Sequence, residues 1–394
     1  MAMADGGAAR GTRMRAAERR NQLAHVAAGR FHRLGYHGVS LESVATEVGL
    51  TGPAVYRHFR NKQALLAASI SSGLDLVEDA LLRTTGGSLD ELVVAVAESG
   101  LERPDLFVLL QRESRYLQPE LRAQVDAQFT RIIDGFVRRV RRESPGLSDE
   151  DARLLVTAAT AVLSSPAMTS TVLPRVEYRR ELSAAALACL RFDLNTVTAE
   201  RAHPTEEDAP PDQVPRSRRT DIVDAATDLF FHHGYTGVSL DDIGAAIGVA
   251  GPSILHYFDT KSDILAAAFD RATDSPAADQ RHDGTGEHTA LIALVDAYVH
   301  FCLRNRALVG VYVSDAVNLP PDAFEKTRAI IKRDVAQWAN LLQAAVPSLD
   351  RRQALVRVQA AMAAIHDLVR LGHFASRPRF AEETEALARV ILQR

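Results

Sequence analysis

An internal repeat constrains this chain more than any other feature. The segment FHRLGYHGVSLESVATEVGLTGPAVYRHFRNKQALLAA, from Phe31, aligns without a gap with FFHHGYTGVSLDDIGAAIGVAGPSILHYFDTKSDILAA, from Phe230, at an offset of 199 residues. A weaker match continues at an offset of 202, where RPDLFVLLQRESRYLQPE aligns with NRALVGVYVSDAVNLPPD. Because each repeated unit builds the same supersecondary structure, the repeat predicts two copies of one fold, copy one and copy two.

Helical spacing dominates both copies. Leu23, Ala27 and Phe31 fall on one helical face, and Ile222 and Phe230 do so in copy two. No segment shows sustained alternation typical of a strand, so the predicted fold is all-α. Later helices are predicted at 88–99, 104–115, 119–143, 148–170 and 175–192, and at 288–304, 306–318, 322–346, 349–372 and 379–394.

The start of each copy has the pattern of a helix-turn-helix. In copy one Ser40 precedes a short helix, Gly49 supplies the left-handed residue of a tight turn, and Thr51 can cap the next helix. Gly52 and Pro53 fill the first turn of that second helix, where proline loses no hydrogen bond. Two short helices across a glycine turn are typical of heads that read the DNA major groove.

The chain therefore divides into five predicted segments. The segment NTVTAERAHPTEEDAPPDQVP between the copies is rich in proline and acids, which is typical of a linker. The predicted segments are head 1 (14–62), bundle 1 (63–194), the linker (195–215), head 2 (216–261) and bundle 2 (262–394).

Both heads resemble the tetracycline-repressor (TetR) family. The likeness is carried by GYHGVSLESVATEVGLTGPAVYRHFRNKQALL and GYTGVSLDDIGAAIGVAGPSILHYFDTKSDIL. With two units in one chain, the sequence is similar to the tandem repressors of mycobacterial lipid-import operons. The resemblance implies three-helix heads that bind double-stranded operator DNA, helical bundles that bind a ligand and dimerise, and repression relieved by a small apolar or lipid-like effector.

The resemblance also implies which residues contact DNA. In copy one these are Ser40, Thr51, Gly52, Pro53, Ala54, Tyr56, Arg57, His58 and Lys62. In copy two they are Ser239, Ala250, Gly251, Pro252, Ser253, His256, Tyr257 and Lys261. Tyr56 and Lys62 are phosphate contacts in the resemblance, but copy two has Leu255 at the position of Tyr56. The DNA contact of head 2 is therefore expected to be the weaker one.

Local charge favours head 1 as the electrostatic anchor. Residues 1–62 hold ten basic and four acidic residues, a net charge of +6, whereas residues 216–261 hold four basic and six acidic residues, a net charge of −2. Neutralisation of phosphates supplies most non-specific affinity for DNA. The arginine-rich segment before head 1 either contacts the minor groove or backbone or is a solvated tail.

Two groups of residues are candidates for ligand binding. Gln111, Glu113, Arg115 and Tyr116 lie in the polar stretch QRESRYL, which can line a pocket, form an interface or be an exposed helix end. Trp338 and His366, with His373 and Phe374, can line a second pocket, although packing in the core is the favoured explanation for them. Tyr36 and Phe59 are expected in the core of head 1 rather than on DNA.

Several function classes lack support in the sequence. The two cysteines, Cys189 and Cys302, imply no disulfide framework and fit a reducing compartment. No signal-peptide pattern or membrane-length apolar run occurs, so a cytoplasmic protein is expected. His232-His233 has no second cluster with metal-ligand spacing, and no nucleophile motif is present. Neither an enzyme nor a cofactor or metal site is expected.

The duplication also predicts how the chain pairs. The resemblance implies dimerisation through the last two helices of each bundle, so segments 148–192 and 349–394 are expected to pair within one chain as a pseudo-dimer. Pairing between two chains stays open. The alternative is a ligand-binding or scaffold protein in which only head 1 binds DNA and the chain homodimerises.

Overall fold

The computed structural model describes residues 5–168, 173–197, 217–272 and 286–393, and the side chains from residue 16 onward. Throughout these ranges the regular structure is helical and no strand occurs, which confirms the predicted all-α fold. The chain forms two compact units, Met1–Glu143 and Ser144–Arg394. The last helices of copy one thus belong to the same unit as copy two. Most of the predicted linker and Arg10, Arg13 and Arg15 of the N-terminal segment lie outside the described residues or side chains.

Unit 1 contains seven α-helices. They are α1 (Asp5–Leu34), α2 (Leu41–Glu47), α3 (Gly52–Tyr56), α4 (Lys62–Arg83), α5 (Leu89–Glu102), α6 (Asp105–Val108) and α7 (Pro119–Glu143). Head 1 comprises α1 to α3, and α4 packs on both α1 and α7. Phe31, Val44, Val55 and Phe59 are fully buried in this head, as helical spacing and the repeat predict.

Unit 2 contains the last two helices of copy one and the described helices of copy two. They are α8 (Asp149–Ser164), α9 (Arg175–Leu190), α10 (Arg218–His233), α11 (Leu240–Ala246), α12 (Gly251–Ile254), α13 (Lys261–Ala272), α14 (Glu287–Arg304), α15 (Arg306–Asp315), α16 (Pro321–Ala345), α17 (Arg351–Leu371) and α18 (Phe380–Leu392). Head 2 comprises α10 to α12, and its core cluster includes Phe230, Ile243 and Ile254.

Local sequence fixes the ends of the short helices. The side chains of Ser40 and Ser239 accept the N–H groups of Ser43 and Asp242, and each pair forms a reciprocal capping box. The turns that follow have positive φ, 69° at Gly49 and 72° at its counterpart Gly248. Only glycine adopts that conformation without a steric penalty, so the predicted turns are present in both heads.

One predicted helix is wrong in its second half. The sequence predicts a helix over 104–115, but α6 ends at Val108 and the chain widens into a π-helical turn, Leu109–Glu113, followed by a 3₁₀ turn to Tyr116. Arg112 and Glu113 are buried there and bond to the backbone at the end of α1. These tertiary bonds replace the regular helical ladder, which periodicity does not reveal.

The four helices that the sequence predicts to pair lie together in unit 2. Helices α8 and α9 of copy one pack against α17 of copy two, and α9 also packs against α18. Ala158, Ala159, Ala360 and Ala361 are buried on α8 and α17. Because alanine has no side chain beyond Cβ, such positions allow two helix backbones to approach closely.

Candidate nucleic-acid interface and cavity

The second helix of each helix-turn-helix presents its variable side chains to solvent. Tyr56 and Arg57 are exposed at the end of α3, and Leu255, His256 and Tyr257 are exposed at the end of α12. Ser40, Thr51, Pro53, Ser239, Ala250 and Pro252 are also exposed, and Gly52, Ala54, His58 and Ser253 are half-buried. These residues lie together at the recognition end of each head, where the resemblance places them.

Gly251 differs from that expectation because it is buried. A Cβ atom at Gly251 would lie 2.0 Å from Oδ1 of Asp241, so the acid at the start of α11 covers the start of α12. The equivalent Gly52 has more room, because a Cβ atom there would lie 3.3 Å from Cγ of Glu42. A DNA contact at Gly251 therefore requires the Asp241 carboxylate to move aside.

The predicted cap at Thr51 is wrong in its hydrogen bond. Thr51 stands at the N-cap position of α3, but its side chain makes no capping hydrogen bond there. Ala250 occupies the same position before α12. The presence of alanine at this position in copy two consequently removes no capping bond, and the two heads differ here only in an exposed side chain.

Tyr56 and Leu255 make the two recognition surfaces chemically unlike. Tyr56 is 52 % exposed, and its hydroxyl lies 3.2 Å from Oε1 of Glu42. Backbone hydrogen bonding and the Tyr56 hydroxyl lower the pKa of Glu42, so this carboxylate is ionised at neutral pH. Leu255 is 50 % exposed and offers no hydrogen bond to Asp241, which replaces Glu42. Head 2 therefore has an apolar side chain where head 1 has a hydroxyl, and the phosphate contact of Tyr56 stays a prediction.

Lys62 and Lys261 bond inside their own heads. The Lys62 ammonium donates to the carbonyls of Tyr36 (2.8 Å) and Val39 (2.9 Å) and lies 4.2 Å from the centre of the Tyr36 ring. Lys261 repeats all three contacts with Tyr235 and Val238. Burial lowers the pKa of both lysines. Two of the three N–H groups are thus committed to the head, and the phosphate contact remains a prediction.

In each head an arginine of the first helix bonds to the backbone just after the recognition helix, and the sequence analysis did not predict this contact. Arg20 on α1 donates to the carbonyl of His58 (2.6 Å), and its guanidinium lies 4.4 Å from the centre of the Phe59 ring. Arg219 makes the same contacts with Tyr257 (2.5 Å) and the Phe258 ring (3.9 Å). The two arginines are an identical pair at the offset of 199, which was the available signal.

The polar stretch after α6 forms an interface with head 1. Glu113 is 1 % exposed and accepts the N–H of Tyr36 (2.7 Å), and it pairs with Arg112. Arg112 donates to the carbonyls of Phe31 (3.0 Å) and His32 (2.7 Å), and Tyr116 stacks on Tyr36 at 4.8 Å. An exposed helix end is therefore wrong for this stretch, and an interface is the alternative that fits. Arg115 donates to the Arg112 carbonyl, and Gln111 is half-buried.

A cavity of about 120 Å³ lies among the helices of bundle 2. Its walls come from α13 to α17 and are mainly apolar, with Phe269, Phe301 and Leu308 among them. His366 lines this cavity, as one of the two sequence alternatives holds. Trp338 is 1 % exposed and packs against the Tyr298 ring at 5.3 Å, so it belongs to the core beside the cavity. The rings of His373 and Phe374 are in contact at a tilt of 46°, and Phe374 is buried.

The described residues offer no metal site. Nowhere in the described ranges do three histidine, cysteine or acidic side chains gather as metal ligands would, and this includes His232 and His233. Within the same ranges, no helix combines the length and apolarity needed to cross a membrane.

Two heads, each with a short capped helix, a glycine turn and an exposed second helix, define a class of DNA-binding helix-turn-helix regulators. Comparison with known families agrees, since the model for bacterial regulatory proteins of the tetR family matches residues 23–69 and 222–268. Both heads match the tetR-family model, so the chain carries two TetR heads in tandem. This family consists of transcription regulators and not of enzymes.

Individual relatives match about half of the chain. The HTH-type transcriptional activator FasR of Mycolicibacterium smegmatis is 29% identical over 163 residues, which cover 40% of this chain and 74% of FasR. A TetR/AcrR-family regulator from Thermobifida fusca is 27% identical, covers 44% of this chain and 96% of its own, and has a TM-score of 0.34. A TetR-family regulator from Bordetella parapertussis is 19% identical, covers 45% and 95%, and has a TM-score of 0.42.

Proposed function

We propose that this chain is a repressor that binds operator DNA as an intramolecular pseudo-dimer, with two unlike heads, and leaves it when a small apolar effector binds. The observation that carries this proposal is the packing of α8 and α9 from copy one against α17 and α18 from copy two. The last two helices of each TetR unit are those through which the resemblance implies dimerisation. One chain thus supplies both halves of the pairing.

Buried ion pairs between the copies support this pairing. Glu181 of α9 is buried and accepts hydrogen bonds from Gln353 (3.1 Å) and Arg357 (2.9 Å) of α17. On the opposite side, Arg377 donates to Asp151 of α8 (2.5 Å) and pairs with Glu383 of its own copy. Removal of Arg357 or Arg377 from the paired helices would leave Glu181 or Asp151 without its base from the other copy, which is strongly unfavourable where the carboxylate stays buried.

The two heads favour an operator with two unlike half-sites. A homodimer of identical heads favours a palindrome, whereas this chain presents Arg57 on one head and His256 at the matching position of the other. Arginine can bond bidentately to guanine, with about 1–3 kcal/mol of discrimination against other bases. Head 1 also carries the positive charge and Tyr56, so its half-site is expected to hold more of the salt dependence.

Native mass spectrometry and DNA selection test the proposal together. The unbound protein is expected at 42.9 kDa, the mass of a single chain, and one chain is expected on each selected operator. Footprints on the selected sequences should show two different half-sites. Arg57→Ala should relax base preference in one half-site only, and the matched His256→Ala should affect the other half-site less. A stable dimer at nanomolar concentration that protects a perfect inverted repeat would overturn the pseudo-dimer.

A second function is favoured by the surface of head 2. Leu255 replaces Tyr56, Asp241 covers Gly251, and the local net charge is −2. These features fit a scaffold role in which only head 1 binds DNA and the chain homodimerises. The same footprint separates the two functions, because this alternative yields one protected half-site per chain and no response to His256→Ala.

Release by an effector is proposed through α15. This helix lines the cavity with Leu308 and Tyr312, and it also touches head 2. A Cβ atom at Gly310 would lie 2.2 Å from the Phe231 ring, so that ring packs directly on the backbone of α15. A ligand that moves α15 therefore moves its contact with α10 of head 2 and shifts the balance between DNA-bound and released arrangements. The proposed location is the cytoplasm.

A further inference from the structure

The cavity in bundle 2 has polar groups that are uncharged at neutral pH. Tyr298 and His366 lie on its wall, and the Tyr298 hydroxyl is 2.7 Å from Nε2 of His366. Burial lowers the pKa of His366 to about 4 and raises the pKa of Tyr312, a third lining residue, to about 12. A neutral imidazole and two neutral phenols therefore face the cavity at pH 7.

The lining of the cavity has no positively charged side chain that could pair with an anionic ligand. Its lining includes neither lysine nor arginine among the described residues. The one lining carboxyl is Asp334, whose pKa is raised by burial and which already accepts hydrogen bonds from Arg333 at 3.2 Å. A buried carboxylate or phosphate would have no counter-charge here, and burial of an unpaired charge is costly. Asp334 already pairs with Arg333, so an amine in the cavity would have to compete with that arginine for the carboxylate.

We propose that the bundle 2 cavity binds an uncharged apolar molecule that carries one hydroxyl or carbonyl, which bonds to the Tyr298–His366 pair. The inference rests on the proposed function, since it names the chemical class of that effector. A volume of about 120 Å³ accommodates roughly ten water-sized groups, at about 10–15 Å³ for each. The ligand, or the part of it that enters, thus has roughly ten non-hydrogen atoms.

The chain contains its own reporter for this cavity. Trp338 is the one tryptophan of the sequence, it is buried, and its ring centre lies 5.3 Å from that of Tyr298. A ligand that bonds to Tyr298 changes the surroundings of this indole. Tryptophan fluorescence of the full chain without DNA therefore measures occupancy of the cavity independently of operator binding.

The test compares three probes of equal chain length at pH 7.5, 1-octanol, octanoate and octylamine. Saturable binding of octanol is expected, with octanoate and octylamine each weaker by about tenfold or more, as an unpaired buried charge requires. Tyr298→Phe should weaken octanol by about three- to tenfold, since it removes one hydrogen bond. The matched Tyr178→Phe, at a buried tyrosine in copy one outside the cavity, should leave octanol binding unchanged.

A variant that fills the cavity keeps the test decisive. Ile331→Phe adds volume at the wall without a second tryptophan, and its fold is checked by circular dichroism. A folded Ile331→Phe chain that binds octanol as the unaltered chain does would overturn the site. Octanoate binding as tight as octanol would overturn the uncharged class. Octanol binding in a chain that fails to footprint DNA would instead refute the proposed function and leave this inference intact.

Discussion

Replacement of Lys62 by methionine separates two roles that the sequence and the structure assign to this residue. The resemblance makes Lys62 a phosphate contact, whereas the structure bonds its ammonium to the carbonyls of Tyr36 and Val39 and sets it over the Tyr36 ring. Methionine keeps the aliphatic stem and removes only the charge and the donors. Lys62→Met therefore tests the internal role with little loss of packing.

The expected loss of stability follows from those contacts. Each carbonyl that loses its donor costs about 1 kcal/mol, the low end of the usual range because Lys62 is only half-buried and water reaches the site. Loss of the cation–π contact adds about 0.5 kcal/mol. Head 1 is thus destabilised by about 2.5 kcal/mol, and Lys261→Met, with the same three contacts, should destabilise head 2 by a similar amount.

Hydrogen exchange followed by mass spectrometry measures each head separately in the full chain. Lys62→Met should reduce amide protection in peptides from head 1, and Lys261→Met in peptides from head 2. Tyr56→Phe serves as the surface comparison, since Tyr56 is exposed; it should leave protection unchanged and weaken DNA binding similarly on all sequences. Full protection in Lys62→Met, with the salt slope of DNA binding lowered by about 1, would refute the internal role and restore the phosphate contact as its function.

Two further predictions concern the stability of unit 2. The folded-state pKa of His366 is about 4, below its ordinary value of 6.5, so the unfolded chain binds more protons between these pH values. The free energy of unfolding of unit 2 should therefore fall by up to about 3 kcal/mol as pH falls from 7 to 4. In urea titrations, His366→Gln should flatten that pH dependence. Arg377→Leu leaves buried Glu383 and its neighbour Asp151 without their shared base and should cost about 3–5 kcal/mol, whereas the exposed Arg333→Leu should stay within about 0.5 kcal/mol. An equal loss in both arginine variants would show that the ion pairs of Arg377 do not stabilise the pairing.

The repeat and helical periodicity were sufficient to predict the fold. Ser239 and Asp242 form the predicted capping box, and the segment 119–143 is a helix over its full predicted length. These features depend on residues a few positions apart, and local physics fixes them. The prediction of a helix over 104–115 was wrong in its second half because Arg112 and Glu113 bond to the backbone at the end of α1. These residues lie about eighty positions apart in the sequence, and no local pattern encodes such a contact.

The candidate site was predictable in position and less so in its bonds. Capping preference placed Thr51 and the family resemblance placed Lys62 at the starts of α3 and α4, but neither showed that Thr51 makes no capping hydrogen bond or that Lys62 bonds to two carbonyls. His366 and Trp338 were indistinguishable as cavity and core residues, because both face the interior of one bundle and only the packing around them decides which meets empty space.

Polar contacts join head 1 to its bundle, whereas an apolar contact joins head 2 to its bundle. This difference suggests which head the proposed effector would act on. Head 1 is held by the buried Arg112–Glu113 pair, whose hydrogen bonds have narrow geometric tolerance. Head 2 packs on α15 through the Phe231 ring, an apolar contact made directly on the backbone at Gly310. The same helix lines the cavity of bundle 2. Under the proposed function, a ligand there would act through this contact on the head whose surface is less suited to phosphate, so we expect release to begin where the predicted hold on DNA is weaker.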